Sequence, residues 1–300
     1  MLARTPMTRE NIPVLFDTDI GSDIDDALAL AYLLRQPRCE LVGITTVTGD
    51  VQRRAAIAEV LCRNAGRQDI PIHCGRRLPL AYGPGQPEVP QYAAIADEPH
   101  RLDRPENTAV AFLRDTIRRR PGEIVLLTVG PLANVATLFA LDPKIPFLLR
   151  GIVSMAGVFF APGRREWNVL ADPEAAAIVY ATNRPSHRTY GLDVTERCRL
   201  KSEEARARFQ GPLLEAVLRM AEHWFTQTDA ITFHDPLAAA TIFRPDLCSY
   251  RDGRVRVTLA DDADRSGTTV LTSEGGVDRI AESVDPDAFF HEFFDVAATS

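Results

Sequence analysis

Residues 12–35 read IPVLFDTDIGSDIDDALALAYLLR. Residues 12–16 are a short, unbroken apolar run, the pattern of a strand buried on both faces. Residues 25–35 open with two acids and continue as an Ala- and Leu-rich run, which predicts a helix with negative charge at its positive end. Strand, loop and helix recur downstream. Apolar runs at 41–47 and 124–129 precede helical patterns at 51–65 and 132–141, and further strands are expected at 152–155, near 188–191 and at 255–259. Near-continuous apolar strands alternating with helices predict an α/β fold: one doubly wound, mostly parallel, Rossmann-like sheet flanked by helices. A length of 300 residues would also accommodate two domains. No internal repeat, low-complexity tract or linker divides the chain, so residues 1–300 are read as a single domain.

Composition excludes several classes. Apolar residues make up 45% and charged residues 25%, values of an ordinary globular chain and not of a disordered, collagenous or coiled-coil one. Acids number 41 against 34 bases, and the net charge of -7 disfavours a nucleic-acid partner, because phosphate contacts supply most of that affinity. Apolar runs such as 27–34 are too short to span a membrane, and the opening MLARTPMTRE holds no secretory apolar stretch. A cytoplasmic protein with no membrane partner is expected. Cys39, Cys62, Cys74, Cys198 and Cys248 are odd in number and form no CxxC pair, which points to buried thiols and away from a disulfide framework or a zinc site. Residues 78–105 carry prolines at 79, 84, 87, 90, 99 and 105 without periodicity and are read as a rim or lid loop.

Five of the ten residues from 17 to 26 are aspartates, and in open α/β sheets the ligand crevice lies beyond the carboxyl ends of the strands, where this loop is placed. Helix capping uses one or two acids, not five. Packed carboxylates repel one another without a cation, so the loop points to a hard, oxygen-liganded metal. An EF-hand beginning at Asp17 would need Gly and Glu where Ser22 and Leu28 stand, and fails. A phosphatase of the haloacid dehalogenase type is the alternative enzyme: Asp17 would be its nucleophile and Asp261, Asp262 and Asp264 its distal acids, although Gly21 stands where that pattern has Thr or Val.

DTDIGSDIDDA at 17–27 resembles the opening motif of the inosine-uridine type nucleoside hydrolase family. Further segments similar to the family follow in its order: GITTVTGD at 43–50, LLTVGPLANVA at 126–136, SMAG at 154–157, EWNVLADPEAA at 166–176 and FHDPLAAA at 233–240. The resemblance implies hydrolysis of the N-glycosidic bond of ribonucleosides or close analogues, giving free base and ribose. It also implies a calcium ion held by Asp19, Asp26, Asp235 and the main-chain carbonyl of Val129. Asp19 would double as general base, and His234 would protonate the leaving base. Asp25, Asp50, Glu166 and Asn168 would contact the sugar. Bond cleavage builds oxocarbenium character on the ribose while negative charge moves to the base, and acids, a hard cation and a near-neutral imidazole suit those needs. Trp167 and Phe233 flank these residues as walls for sugar or base, or as core. Homodimers or homotetramers are expected from the same resemblance.

The sequence also departs from the family. Five residues separate Asp19 from Asp25 where three are usual, so a dipeptide such as Ser22-Asp23 is extra and is expected to bulge the loop outside the helix, with Asp23 turned away from the metal. Asp50 stands where Asn is common. VFFAPGRR at 158–165 lacks the Asn that binds the sugar's 5'-hydroxyl and carries Arg164 and Arg165 instead, and the Pro-rich stretch replaces a His-Gly loop. A third reading is therefore a nucleoside-binding protein without turnover.

Overall fold

A computed structural model describes residues 11–161, 163–259, 266–273 and 276–298. The opening MLARTPMTRE and Asp261, Asp262 and Asp264 lie outside them. The first half runs β1 (Ile12–Thr18), α1 (Asp25–Arg35), β2 (Cys39–Thr46), α2 (Val51–Asn64), β3 (Ile72–Cys74), α3 (Ala109–Arg119), β4 (Val125–Thr128), α4 (Ala133–Leu141), α5 (Ile145–Leu148) and β5 (Gly151–Met155). Then come α6 (Trp167–Ala171), α7 (Pro173–Ala181), β6 (His187–Tyr190), α8 (Leu192–Thr195), β7 (Arg199–Lys201), α9 (Ser202–Arg208), α10 (Gly211–Trp224), β8 (Ala230–Thr232), α11 (His234–Phe243), β9 (Cys248–Val257), β10 (Thr269–Thr272), β11 (Asp278–Val284) and α12 (Pro286–Ala297).

Nine strands form one sheet in the order β10-β9-β11-β6-β5-β4-β1-β2-β3, and β7 pairs with β8 separately. From β3 to β11 every neighbouring pair is parallel, while β9 runs antiparallel to β11 and β10. Strand order reverses between β1 and β4, the switch point at which doubly wound folds open their ligand crevice.

Alternation along the strands explains the two-sided burial. Val14 and Phe16 join a core with α1, α2, α10, α11 and α12, whereas Leu15 joins Leu126, Ile152 and the apolar residues of α3, α4 and α7 on the other face. Pro13 cannot donate to a ladder; it pairs with β2 alone, since β4 meets β1 only from Val14 onward. Among the described residues no helix is long and apolar enough to cross a membrane.

Candidate active site

Beyond the carboxyl ends of β1 and β4 lies a cavity of about 490 Å³. The aspartate loop supplies Asp19, Ser22, Asp23, Asp25 and Asp26 to its lining. Val129 enters from the end of β4, Arg165 to Asn168 from the start of α6, and His234 and Asp235 from the start of α11. Gln86, Glu88 and Pro90 of the Pro-rich stretch form a rim, and Trp224 and Gln227 close the side nearest α10.

α1 starts at Asp25, so Ser22 and Asp23 lie in the loop before it. The first turns of α1 and α11 meet: the Asp235 amide donates to Asp25 Oδ2 at 3.2 Å, and Thr18 Oγ1 donates to Asp26 Oδ1. Ligand oxygens of Asp25, Asp26 and Asp235 lie within 4.8 Å of one another, all buried. Burial raises these three carboxyls well above their ordinary range, and repulsion from neighbouring acids adds to it. Two helix N-termini favour negative charge here, and protonation or a bound cation would offset the rest.

Asp19 shares the cavity without belonging to that tightest group. Burial pushes its carboxyl to about 6, with the charge of Arg54 opposing. Its carboxylate lies against Gly130, where a Cβ would come within 2.8 Å of Oδ1. Gly130 therefore does more than turn strand into helix: it makes room for Asp19. Asp23 is half-buried at the cavity wall; its Oδ1 accepts from the Ile24 amide at 2.6 Å, and desolvation raises it to about 7.

Glu166 caps α6, accepting at Oε1 from the Asn168 amide (2.6 Å) and at Oε2 from those of Gly157 (3.0 Å) and Val169 (3.1 Å). Burial lifts it to about 7 against those three donors. The cap aims Asn168, whose Nδ2 donates to the Val129 carbonyl at 2.7 Å and the Met155 carbonyl at 3.2 Å. His234 Nδ1 lies 2.7 Å from Thr195 Oγ1, whose own proton goes to the Gly191 carbonyl at 3.1 Å. The contact with Thr195 fixes the orientation of the ring. Burial lowers this imidazole to about 4, so it is neutral at pH 7.

Two expectations are corrected, for Asp50 and Asp17, and the alternative left open for Phe233 and Trp167 is decided. Asp50 does not line the cavity: it is the N-cap of α2, accepting from the Arg53 amide at 3.1 Å, because an acid just before a helix satisfies a free amide. Phe233 is core, packed edge-on against Phe289, Phe290 and Phe293, whereas Trp167 does line the cavity and stays 49% exposed. Asp17 is fully buried within β1, its Oδ1 held by Thr45 and Asn134, and does not line the cavity, which removes the nucleophile of the phosphatase reading. Of the two arginines, Arg164 pairs with Glu196 on the surface, and Arg165 lines the cavity and donates to the Ser266 carbonyl at 3.2 Å.

The comparison with known proteins agrees with this geometry. Residues 14–291 match the inosine-uridine preferring nucleoside hydrolase family. The chain belongs to that family. It is 30% identical to uridine nucleosidase 1 of Arabidopsis thaliana, over 81% of this chain and 77% of that one. It is 31% identical to a non-specific ribonucleoside hydrolase of Escherichia coli, over 88% and 89%. Among solved structures, a purine-preferring ribonucleoside hydrolase from Gardnerella vaginalis superposes with a TM-score of 0.77 at 25% identity, covering 95% of this chain and 98% of that one. A plant nucleoside hydrolase shares the fold, with a TM-score of 0.83 at 24% identity over 96% and 99%. As a nucleoside hydrolase, this chain cleaves N-glycosidic bonds, and its acidic cluster is of a kind that holds a metal ion.

Residues of the site that sequence reasoning missed are Arg54, Trp224, Gln227, Gln86 and Glu88. Arg54 carried a signal, since it shares a helical face with Val51, Ala55, Ala58 and Leu61.

Proposed function

We propose that this nucleoside hydrolase acts on ribonucleosides or close analogues, releasing base and ribose, with calcium held among Asp26, Asp235, Asp19 and the Val129 carbonyl. The observation that carries this reading is the group of buried carboxylates at two abutting helix N-termini, in a cavity that Asp19 and Val129 also line. The donors are all oxygens, from three segments of the chain, the set a hard divalent cation takes, and they include none of the His and Cys ligands on which zinc sites are commonly built. When bound, the ion neutralises the acids and lowers the pKa of an adjacent water.

The chain's own groups do the rest. Asp19 takes the proton of the attacking water. Asp25 accepts hydrogen bonds from the ribose hydroxyls, and its Oδ2 is kept in place by the Asp235 amide. Asn168, oriented by the Glu166 cap, offers its amide to the sugar from the opposite side, so Glu166 acts through Asn168 more than by direct contact. The surrounding carboxylates favour the positive charge that grows on the ribose. Trp167, Trp224 and Leu192 provide apolar wall for the base. His234, its ring oriented by Thr195, lines the same cavity and would pass a proton to the leaving base.

The test is release of free base from inosine and uridine, followed by chromatography with calcium and with a chelator. Release that calcium sustains and the chelator stops supports the reading. Calorimetric binding of nucleoside with no base released would make the protein a binding module instead, and unchanged release after chelation would remove the metal from the mechanism.

A further inference from the structure

We propose that Arg54 is a positioning residue of this site: its guanidinium fixes the backbone of the aspartate loop and, through the same contacts, holds residues 86–88 as a standing wall of the cavity. The proposal rests on the reading of the acidic cluster as a cation site.

Arg54 projects from the second turn of α2 and is 0% exposed. Burying a guanidinium is costly unless its donors are satisfied, and among the described residues no carboxylate lies within ion-pair distance of it. Its partners are of another kind. Nε donates to the Thr48 carbonyl at 2.8 Å; Nη1 donates to the carbonyls of Asp19 and Ile20 (3.1 Å for Ile20) and to Ser22 Oγ at 3.0 Å. Nη2 donates to the Gln86 carbonyl at 2.7 Å and more weakly to that of Glu88 at 3.4 Å. Every acceptor but Ser22 Oγ is main chain, so the side chain dictates a backbone path. Asp19, Ser22, Gln86 and Glu88 all line the cavity, which places one buried cation behind two of its walls.

Neighbouring contacts close the same clamp. Ser22 Oγ donates to the Glu88 carbonyl at 3.1 Å, Gln91 Nε2 to the Ser22 carbonyl at 3.0 Å, and the Gln91 amide to the Gly21 carbonyl at 3.2 Å. Gly21 has φ +116°, and a Cβ there would meet Val89 at 2.5 Å, so the loop is seated directly under this segment. The loop between β1 and α1 has conformations to lose on folding, and a planar fork with fixed donor directions removes them more completely than a point charge does. Arg54 also lies near enough to Asp19 and Asp26 to favour their ionised forms. In this structure the 86–91 part of the Pro-rich stretch is a pinned rim.

Arg54→Lys and Arg54→Ala, made in the full chain, test the proposal. Calcium titration by calorimetry should show affinity about tenfold or more weaker than wild type in both, the usual cost of removing a group that orients ligands. Limited proteolysis with cuts mapped by mass spectrometry should show new cleavage confined to 19–24 and 78–92, and millimolar guanidinium, but not equimolar sodium chloride, should restore calcium affinity and protease resistance to Arg54→Ala. Wild-type affinity and resistance in Arg54→Lys would overturn the proposal, as would cuts spread over the chain, which would reduce Arg54 to a core residue. If Arg54→Ala does not fold, the Lys variant alone decides. If wild type binds no calcium, the cation reading fails, while the proteolysis and guanidinium arms still judge Arg54.

Discussion

On the proposed reading two roles meet at Asp19, ligand and base, and they separate under substitution. Asp19→Asn keeps an oxygen and the volume while removing the charge and the proton acceptor. Turnover should fall at least about a hundredfold, the lower range for a positioned acid-base group, with the melting temperature little changed; near-wild-type turnover with calcium still bound would move the base role to another acid. The register of the loop has its own test. Asp26 sits in the carboxylate group with Asp235, whereas Asp23 lies at the wall of the same cavity with one oxygen engaged by its neighbour's amide. Calcium titrations should show Asp26→Ala losing affinity sharply and Asp23→Ala changing it by less than about tenfold; the reverse order would mean that Asp23 is the ligand. Much of this site is legible in sequence because acids at the carboxyl end of a strand have few bland explanations. Asp50 misleads because a cap and a ligand look alike one residue before a helix. Trp224 and Gln227 carry no local sign, since only tertiary packing brings α10 to the cavity.

At the scale of elements, the helices at 25–35 and 51–64 and the strands of the parallel sheet follow from periodicity, because both faces of the sheet are covered and the apolar runs are unbroken. The antiparallel end is harder to read. β9 is half exposed and rich in Arg, and β11 mixes Asp, Glu and Ser with apolar residues, so neither carries the buried-strand pattern and only part of β9 was expected. Between β5, β6 and β11 runs a polar seam in which Ser154 Oγ lies 2.8 Å from His187 Nε2 and His187 Nδ1 lies 3.7 Å from Asp278, itself paired with Arg184. The trio looks like a hydrolytic triad, but all three are 0% exposed, so it is architecture. Burial, then the charge of Arg184, holds His187 well below its ordinary value. The folded state keeps this imidazole neutral, while the unfolded chain takes up a proton below about 6.5. Stability from this group is therefore present above that pH and lost as pH falls through it. Urea unfolding from pH 6.5 to 5 should show wild-type free energy declining by up to about 1.4 kcal/mol per pH unit more than that of His187→Gln. Parallel curves would show that His187 titrates normally.

For the whole molecule, the net charge of -7 and the acids of the cavity act together. Folding without a cation brings Asp25, Asp26 and Asp235 within 4.8 Å in a buried site, and the repulsion is charged to the folded state alone, because the unfolded chain spreads these acids in water. A cation that binds only the folded state recovers that cost by mass action: about 2.7 kcal/mol when free calcium stands at a hundred times its Kd. At roughly 2 to 4 °C per kcal/mol for a chain of this size, calcium should raise the melting temperature by several degrees over chelator. Two variants make the shift specific. Asp26→Ala removes a ligand and some of the repulsion, so its chelated form should melt no lower than chelated wild type, and calcium should no longer raise it. Asp50→Ala removes only a helix cap, costing about 1 kcal/mol in both conditions, and should keep the full calcium shift. Differential scanning calorimetry of the three proteins with calcium and with chelator gives the comparison. A shift that survives in Asp26→Ala but disappears in Asp50→Ala would move the cation out of the carboxylate group and toward the start of α2.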